Sequence, residues 1–102
     1  MHFVPDNLDF ELSPYTGLTR KHWIEAGKYI LEGVFRHVKT MDSPVLVPRY
    51  ETEITYPNSH TPAWKVQAEY YEGLARSFFI AAPLIHIEPE LEIAGKNMRT
   101  YY

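Results

Sequence analysis

The sequence contains no cysteine. Disulfides and thiolate metal sites are therefore excluded, although the redox compartment stays open. There is no stretch of about 18 successive apolar residues, the length a membrane-spanning helix needs. Met1–Glu11 carries Asp6, Asp9 and Glu11 in place of the apolar run of a secretory leader, so the cytoplasm is the expected location. Basic residues form no stripe: ten Lys and Arg are interspersed with thirteen Asp and Glu, for a net charge of −3. Nothing in that pattern would release counterions from a phosphate backbone, and nucleic acid is not an expected partner. The five histidines show no metal-ligand spacing, with His22, His37, His60 and His86 scattered along the chain. A Gly-rich phosphate loop and a serine nucleophile elbow are also missing, so no cofactor is expected.

What is present suits one small helical unit. A chain of 102 residues is long enough for one small domain and too short for two. Aromatics reach 15%, and eight tyrosines supply over half of them. Residues 1–18 read as an extended arm, punctuated by Pro5, Pro14 and Gly17, with Phe3, Val4, Leu8 and Phe10 available to pack on a neighbour. A first helix is expected from Thr19, as N-cap, to about Lys39. At 100° per residue Trp23, Ala26, Gly27, Ile30, Leu31, Val34, Phe35 and Val38 fill one half of it, and Lys and Glu the other.

A second helix is expected from Thr61-Pro62 to about Ala82, stopped by Pro83. Trp64, Ala68, Tyr71, Ala75, Phe78 and Ala82 recur at alternating steps of four and three along it. Leu74, Ala81, Val66, Tyr70 and Ile80 carry apolar character round nearly the whole circumference, leaving a narrow polar stripe of Lys65, Glu69, Glu72 and Arg76. Such a helix is normally covered on several sides, so further chain or self-association is expected to cover it. A third helix is expected from about Pro89 to Tyr102, with Leu91, Ala94, Gly95, Met98 and Tyr102 on one side and no stop signal after them. Thr40–His60 is a long connection, in which Tyr50, Thr52, Ile54 and Tyr56 alternate with polar residues as a short strand would.

Two runs carry a family resemblance. Ser13-Pro14-Tyr15-Thr16-Gly17-Leu18-Thr19-Arg20-Lys21-His22-Trp23 resembles the opening of the bacterial family catalogued as domain of unknown function 2264. Tyr71-Glu72-Gly73-Leu74-Ala75-Arg76, followed by Ala81-Ala82-Pro83-Leu84, resembles the same family. Its members are several times longer, and the family is similar to α/α-toroid glycoside hydrolases. The resemblance implies an all-α fold whose helical hairpins form the start of an α/α toroid, with a long, partly extended loop between the first two helices. It further implies that residues 1–102 are the N-terminal fragment of a single toroid domain, in a hydrolase of uronic acid-containing glycans. At least one catalytic carboxylate would then lie beyond Tyr102, and the chain alone would be inactive. The alternative is a non-catalytic helical interaction or assembly module.

In the hydrolase reading Glu72, Arg76, His60, Asn58 and Trp64 are the candidate substrate-binding residues. Glu72 and Arg76 stand four apart, and the planar guanidinium would grip a sugar carboxylate in bidentate fashion. The same spacing equally makes a structural ion pair. His60, with Asn58 and Ser59, precedes the second helix near its partly positive N-terminus, where an imidazole would bind a sugar hydroxyl or move a proton, or be incidental. Trp64 and Tyr56 would offer a sugar-stacking platform, although the seam position of Trp64 favours packing. Glu51 and Glu53 would lie on one side of an extended segment with Cα atoms roughly 6.6 Å apart. Glycosidase carboxylates are separated by about 5–9.5 Å, but they normally converge from different elements across a cleft.

Overall fold

The computed structural model describes residues 2–46 and 62–102. Within them the protein is mostly α-helical, with α1 (Arg20–Phe35), α2 (Ala63–Ile87), a hairpin of β1 (Glu92–Ile93) and β2 (Lys96–Asn97), and α3 (Met98–Tyr101). The expected strand of Tyr50–Tyr56 lies outside the described residues.

Thr19 caps α1 in extended conformation. Its backbone N–H and its hydroxyl both donate to Nδ1 of His22, each at 2.9 Å. His22 thus takes the place that Glu or Gln holds in a capping box. Its other nitrogen, Nε2, donates to the carbonyl of Asp6 at 2.6 Å, which ties the N-terminal arm to the helix. These bonds assign the neutral tautomer protonated at Nε2. The arm closes a loop of its own. Asp9 N–H donates to Gly17 O, Ser13 N–H to Asp9 O and Gly17 N–H to Ser13 O, while the Asp9 carboxylate accepts from Glu11 and Leu12. Gly17 has a φ of +70°, and a Cβ there would lie 2.8 Å from Leu8 Cβ, so glycine is required on both counts. Phe3 reaches the helix through Tyr29, with ring centroids 5.7 Å apart.

The first helix ends at Phe35, short of the expected Lys39. His37 N–H donates to Val34 O and Val38 N–H to Phe35 O, tightening the last turn. The face of α1 that packs is also turned from the expected one. Leu31, Phe35 and Val38 are buried, whereas Trp23 is 65% and Ile30 49% exposed.

The second helix runs through Pro83 instead of stopping before it. Proline removes one ladder bond, but Pro83 is exposed, so the orphaned carbonyl four residues earlier, on exposed Phe79, is open to water. Termination comes at Glu88 (φ −132°, ψ 84°), the residue before Pro89. Proline disfavours a helical residue ahead of it, so Pro89 ends α2 and does not begin a third long helix.

The helix expected over 89–102 is replaced by the hairpin and the single turn of α3. Leu91 and Ile93, both buried, alternate with exposed Glu90 and Glu92, a period of two that suits a strand. Register pairs Glu92 with Asn97 and Ile93 with Lys96, which leaves Ala94-Gly95 as a two-residue turn. Both take positive φ, 51° and 75°, as a type I′ turn demands. Asn97 then caps α3, its Oδ1 accepting from Thr100 N–H at 2.9 Å.

The two long helices run antiparallel. Gly27 of α1 faces Ile80 and Leu84 near the end of α2, and Lys28 pairs with Glu88 at 2.8 Å. At the other end Val45, beyond α1, lies beside Gly73. Leu31, Phe35 and Val38 meet Ala81 and Leu84, and Leu91, Ile93 and Met98 of the hairpin segment close the core. Tyr101 and Tyr102 stack edge-on against Phe35, with centroids 4.8 and 5.9 Å away. The Tyr101 hydroxyl donates to Ser43 O at 2.9 Å. Tyr102 donates to Ser77 Oγ, while Ser77 donates to Leu74 O. Burial raises the pKa of both tyrosines above the usual 10.0.

Candidate functional site

The side of α2 that meets the core is defined by Ser77, Ala81 and Leu84. At 100° per residue the seam of Trp64, Ala68, Tyr71, Ala75, Phe78 and Ala82 is centred about 130° round the helix from it. That seam is open. Trp64 is 65% exposed, Tyr71 71% and Phe78 46%, and Phe79 beside them reaches 81%. The sequence pattern asked for cover on several sides of this helix. Among the described residues, α1, the 41–46 segment after it and the C-terminal segment cover the helix away from Trp64, Tyr71 and Phe79, which stay exposed.

A cleft of about 320 Å³ lies on the seam, lined by Tyr71, Leu74, Ala75, Phe78, Phe79 and Tyr102. Tyr102 forms its rim, 5.2 Å from Phe78 between ring centroids. On the other side of Tyr71 a second cleft of about 330 Å³ is walled by the 41–44 turn, Tyr70, Leu74 and Tyr101. Among the described residues, the seam cleft has no carboxylate, imidazole or cation on its wall. The described lining is aromatic and aliphatic, a surface suited to other apolar side chains.

The candidate glycan-binding residues divide accordingly. Glu72 and Arg76 stand on the exposed flank of the seam with 3.7 Å between carboxylate and guanidinium. Their side chains are 60% and 80% exposed, so this is a solvated surface pair and not a buried obligatory one. Trp64 lies on the seam with the Lys65 ammonium 5.4 Å from its ring centroid. His60 and Asn58 lie outside the described residues, as do Ser59, Tyr56, Glu51 and Glu53. The described structure therefore brings Glu72 and Arg76 together and leaves Trp64 beyond them toward the start of α2.

One residue with a definite task escaped the sequence reading. His22 is buried and holds both the helix cap and the arm. Its position three residues after Thr19 was the available signal, since that is the capping-box spacing. No group of three or more His, Asp and Glu that could hold a metal ion occurs among the described residues. No helix among them is long and apolar enough to cross a membrane.

Among protein-family models, curated proteins and solved structures, none matches the chain.

Proposed function

We propose that this chain is a helix-packing module, in which α1 and the C-terminal segment hold α2 so that its seam is presented to another helix. The observation that carries this is the strict four–three recurrence of Trp64, Ala68, Tyr71, Ala75, Phe78 and Ala82 on the exposed side of a 25-residue helix. A period of 3.5 residues is what one long helix needs to keep facing another along its length. An apolar surface of this extent on a small protein marks an interaction site. The test uses Trp64 as reporter, with Trp23→Phe removing the other indole. A synthetic helical peptide with leucine and alanine on its own heptad seam should shift Trp64 emission to the blue and saturate. A scrambled peptide of equal composition should not. Tyr71→Lys combined with Phe78→Lys should abolish the shift while the helical circular dichroism and cooperative melting persist. Equal response to both peptides, or to the charged variant, refutes the packing role.

A second reading is favoured by the exposed Arg76 and by the antiparallel α1–α2 hairpin. Here the chain is the opening of an α/α toroid in a hydrolase of uronic acid-containing glycans, as its resemblance to the domain of unknown function 2264 family implies. Glu72, Arg76, His60, Asn58 and Trp64 would contribute binding or orientation. Arg76→Ala should then weaken binding of acidic oligosaccharides more than of neutral ones. Equal binding of both by the parent and variant chains counts against it.

A further inference from the structure

The seam alternates large and small: Trp64, Ala68, Tyr71, Ala75, Phe78, Ala82. Read backwards, small residues stand where large ones stood. An antiparallel copy of the same helix, centred on Gly73, would set Trp64 against Ala82, Phe78 against Ala68 and Tyr71 against Ala75. Every layer would then hold one bulky ring and one methyl group. Each layer also joins a heptad a position to a d position, the layering of antiparallel coiled coils. A parallel copy would force Trp on Trp, Tyr on Tyr and Phe on Phe and leave Ala facing Ala, alternating clashes with voids.

From this the geometry points to a second copy of this chain as the partner, with α2 pairing antiparallel about a two-fold axis at Gly73. Self-pairing presupposes the packing role proposed above. Charge agrees with it. In this register Glu72 of one copy and Arg76 of the other lie on the same flank, about 3 Å apart along the axis. The two Glu72 carboxylates near the two-fold axis are thus flanked by both Arg76 guanidinium groups. Area agrees as well. A buried aromatic side chain covers about 150–250 Å². The exposed portions of Trp64, Tyr71, Phe78 and Phe79 together offer about 500 Å² per chain, or about 1,000 Å² for the pair, the lower bound of a specific interface. The expected dimer is accordingly reversible and concentration-dependent.

The absence of native cysteine makes a cross-linking test clean. Ala68→Cys and Phe78→Cys chains are mixed in equal amounts and oxidised. Residue 68 of one copy faces residue 78 of the other, whereas like positions lie about 15 Å apart, beyond the reach of a disulfide. Mixed disulfides should exceed homodisulfides by about tenfold or more. Trp64→Cys with Ala82→Cys supplies a second pair in case Phe78→Cys fails to fold, with like positions about 27 Å apart. Light scattering of the unmodified chain should show mass rising from monomer to dimer with concentration, and Tyr71→Lys with Phe78→Lys should hold it monomeric. Preferential homodisulfides overturn the antiparallel register. A monomer at every concentration with no cross-link overturns self-pairing. If the heptad peptide still shifts Trp64 in that case, the packing role stands and only the second copy is lost. If the peptide fails too, both fall.

Discussion

Ala94 sits where an alanine is poorly suited. The Ile93–Lys96 register leaves two residues to turn the chain, and both must take positive φ. At φ 51° Ala94 places its Cβ against the following carbonyl, which costs roughly 1–2 kcal/mol. Ala94→Gly removes that strain but returns about 0.4–1 kcal/mol of freedom to the unfolded chain. The net gain is therefore about 0.5 kcal/mol. Ala94→Asn keeps the side chain's restriction of the unfolded state and tolerates the left-handed region, for a gain of about 1 kcal/mol. Gly95→Ala runs the other way. No heavy atom lies within 4 Å of the added Cβ, so its net cost, about 0.5 kcal/mol by the same balance, is conformational and not steric. In a chain of this size 1 kcal/mol moves the melting midpoint by about 4–8 °C. Thermal and urea unfolding should rank the Ala94→Asn variant first, then Ala94→Gly, then the parent, with Gly95→Ala last. A Gly95→Ala variant as stable as the parent, or an Ala94→Asn variant less stable, would refute the type I′ turn.

Phe35→Ala should cost about 3–5 kcal/mol in urea unfolding, because the ring is fully buried and two tyrosine edges rest on it. That is a large share of the stability of any small domain. Gly33→Ala should stabilise by about 0.5–1 kcal/mol, since the position is helical and its Cβ would meet nothing within 4 Å. Gly27→Ala should gain less in the same assay, because its Cβ would press to 3.2 Å from Leu84 Cδ1. Alkaline pH should also destabilise the fold. Tyrosines of the unfolded chain lose their protons near 10, whereas burial holds those of Tyr101 and Tyr102 on to higher pH. The stabilisation is complete below pH 10 and falls as pH rises from there through the raised folded values. Tyr102→Phe should flatten that decline in melting midpoint above about pH 10, from a lower starting point.

The two long helices were legible because their signals are local. Thr19 marked the start of α1, and the 3.5-residue recurrence marked α2 as far as Ala82, five residues short of its end at Ile87. The reading of Pro83 as a stop assumed that a lost ladder bond cannot be tolerated, and exposure of the helix at that point makes it tolerable. The region after Pro89 was misread because Leu91, Ala94, Met98 and Tyr102 sit at helical spacing. Alternation of Glu90, Leu91, Glu92 and Ile93 before Gly95 was the competing period-two signal. Trp23 and Ile30 were assigned to the core of α1, yet helical periodicity locates an apolar arc only to within its width. Which part of that arc is buried depends on where Leu84 and Met98 come to rest. Of the candidate binding residues, the Glu72–Arg76 pairing could be read from spacing, but its exposure depended on what covers α2. That is a long-range fact no local pattern contains.

The contacts that finish the core are far apart along the chain. Tyr101 bonds to Ser43, Tyr102 to Ser77, and Leu91, Ile93 and Met98 close on Leu31 and Phe35. Helical proteins with short-range contacts are usually fast folders, because little chain has to be organised before each contact forms. Here α1 and α2 can each wind within microseconds, yet α1 gains its core contacts with α2 and the C-terminal segment only when loops of roughly 40–70 residues have closed. Closure of α1 onto α2 and the C-terminal segment therefore sets the pace. Folding of this mostly helical chain should be slow for its helix content, with α1 and α2 fluctuating until the tyrosines lock behind Phe35.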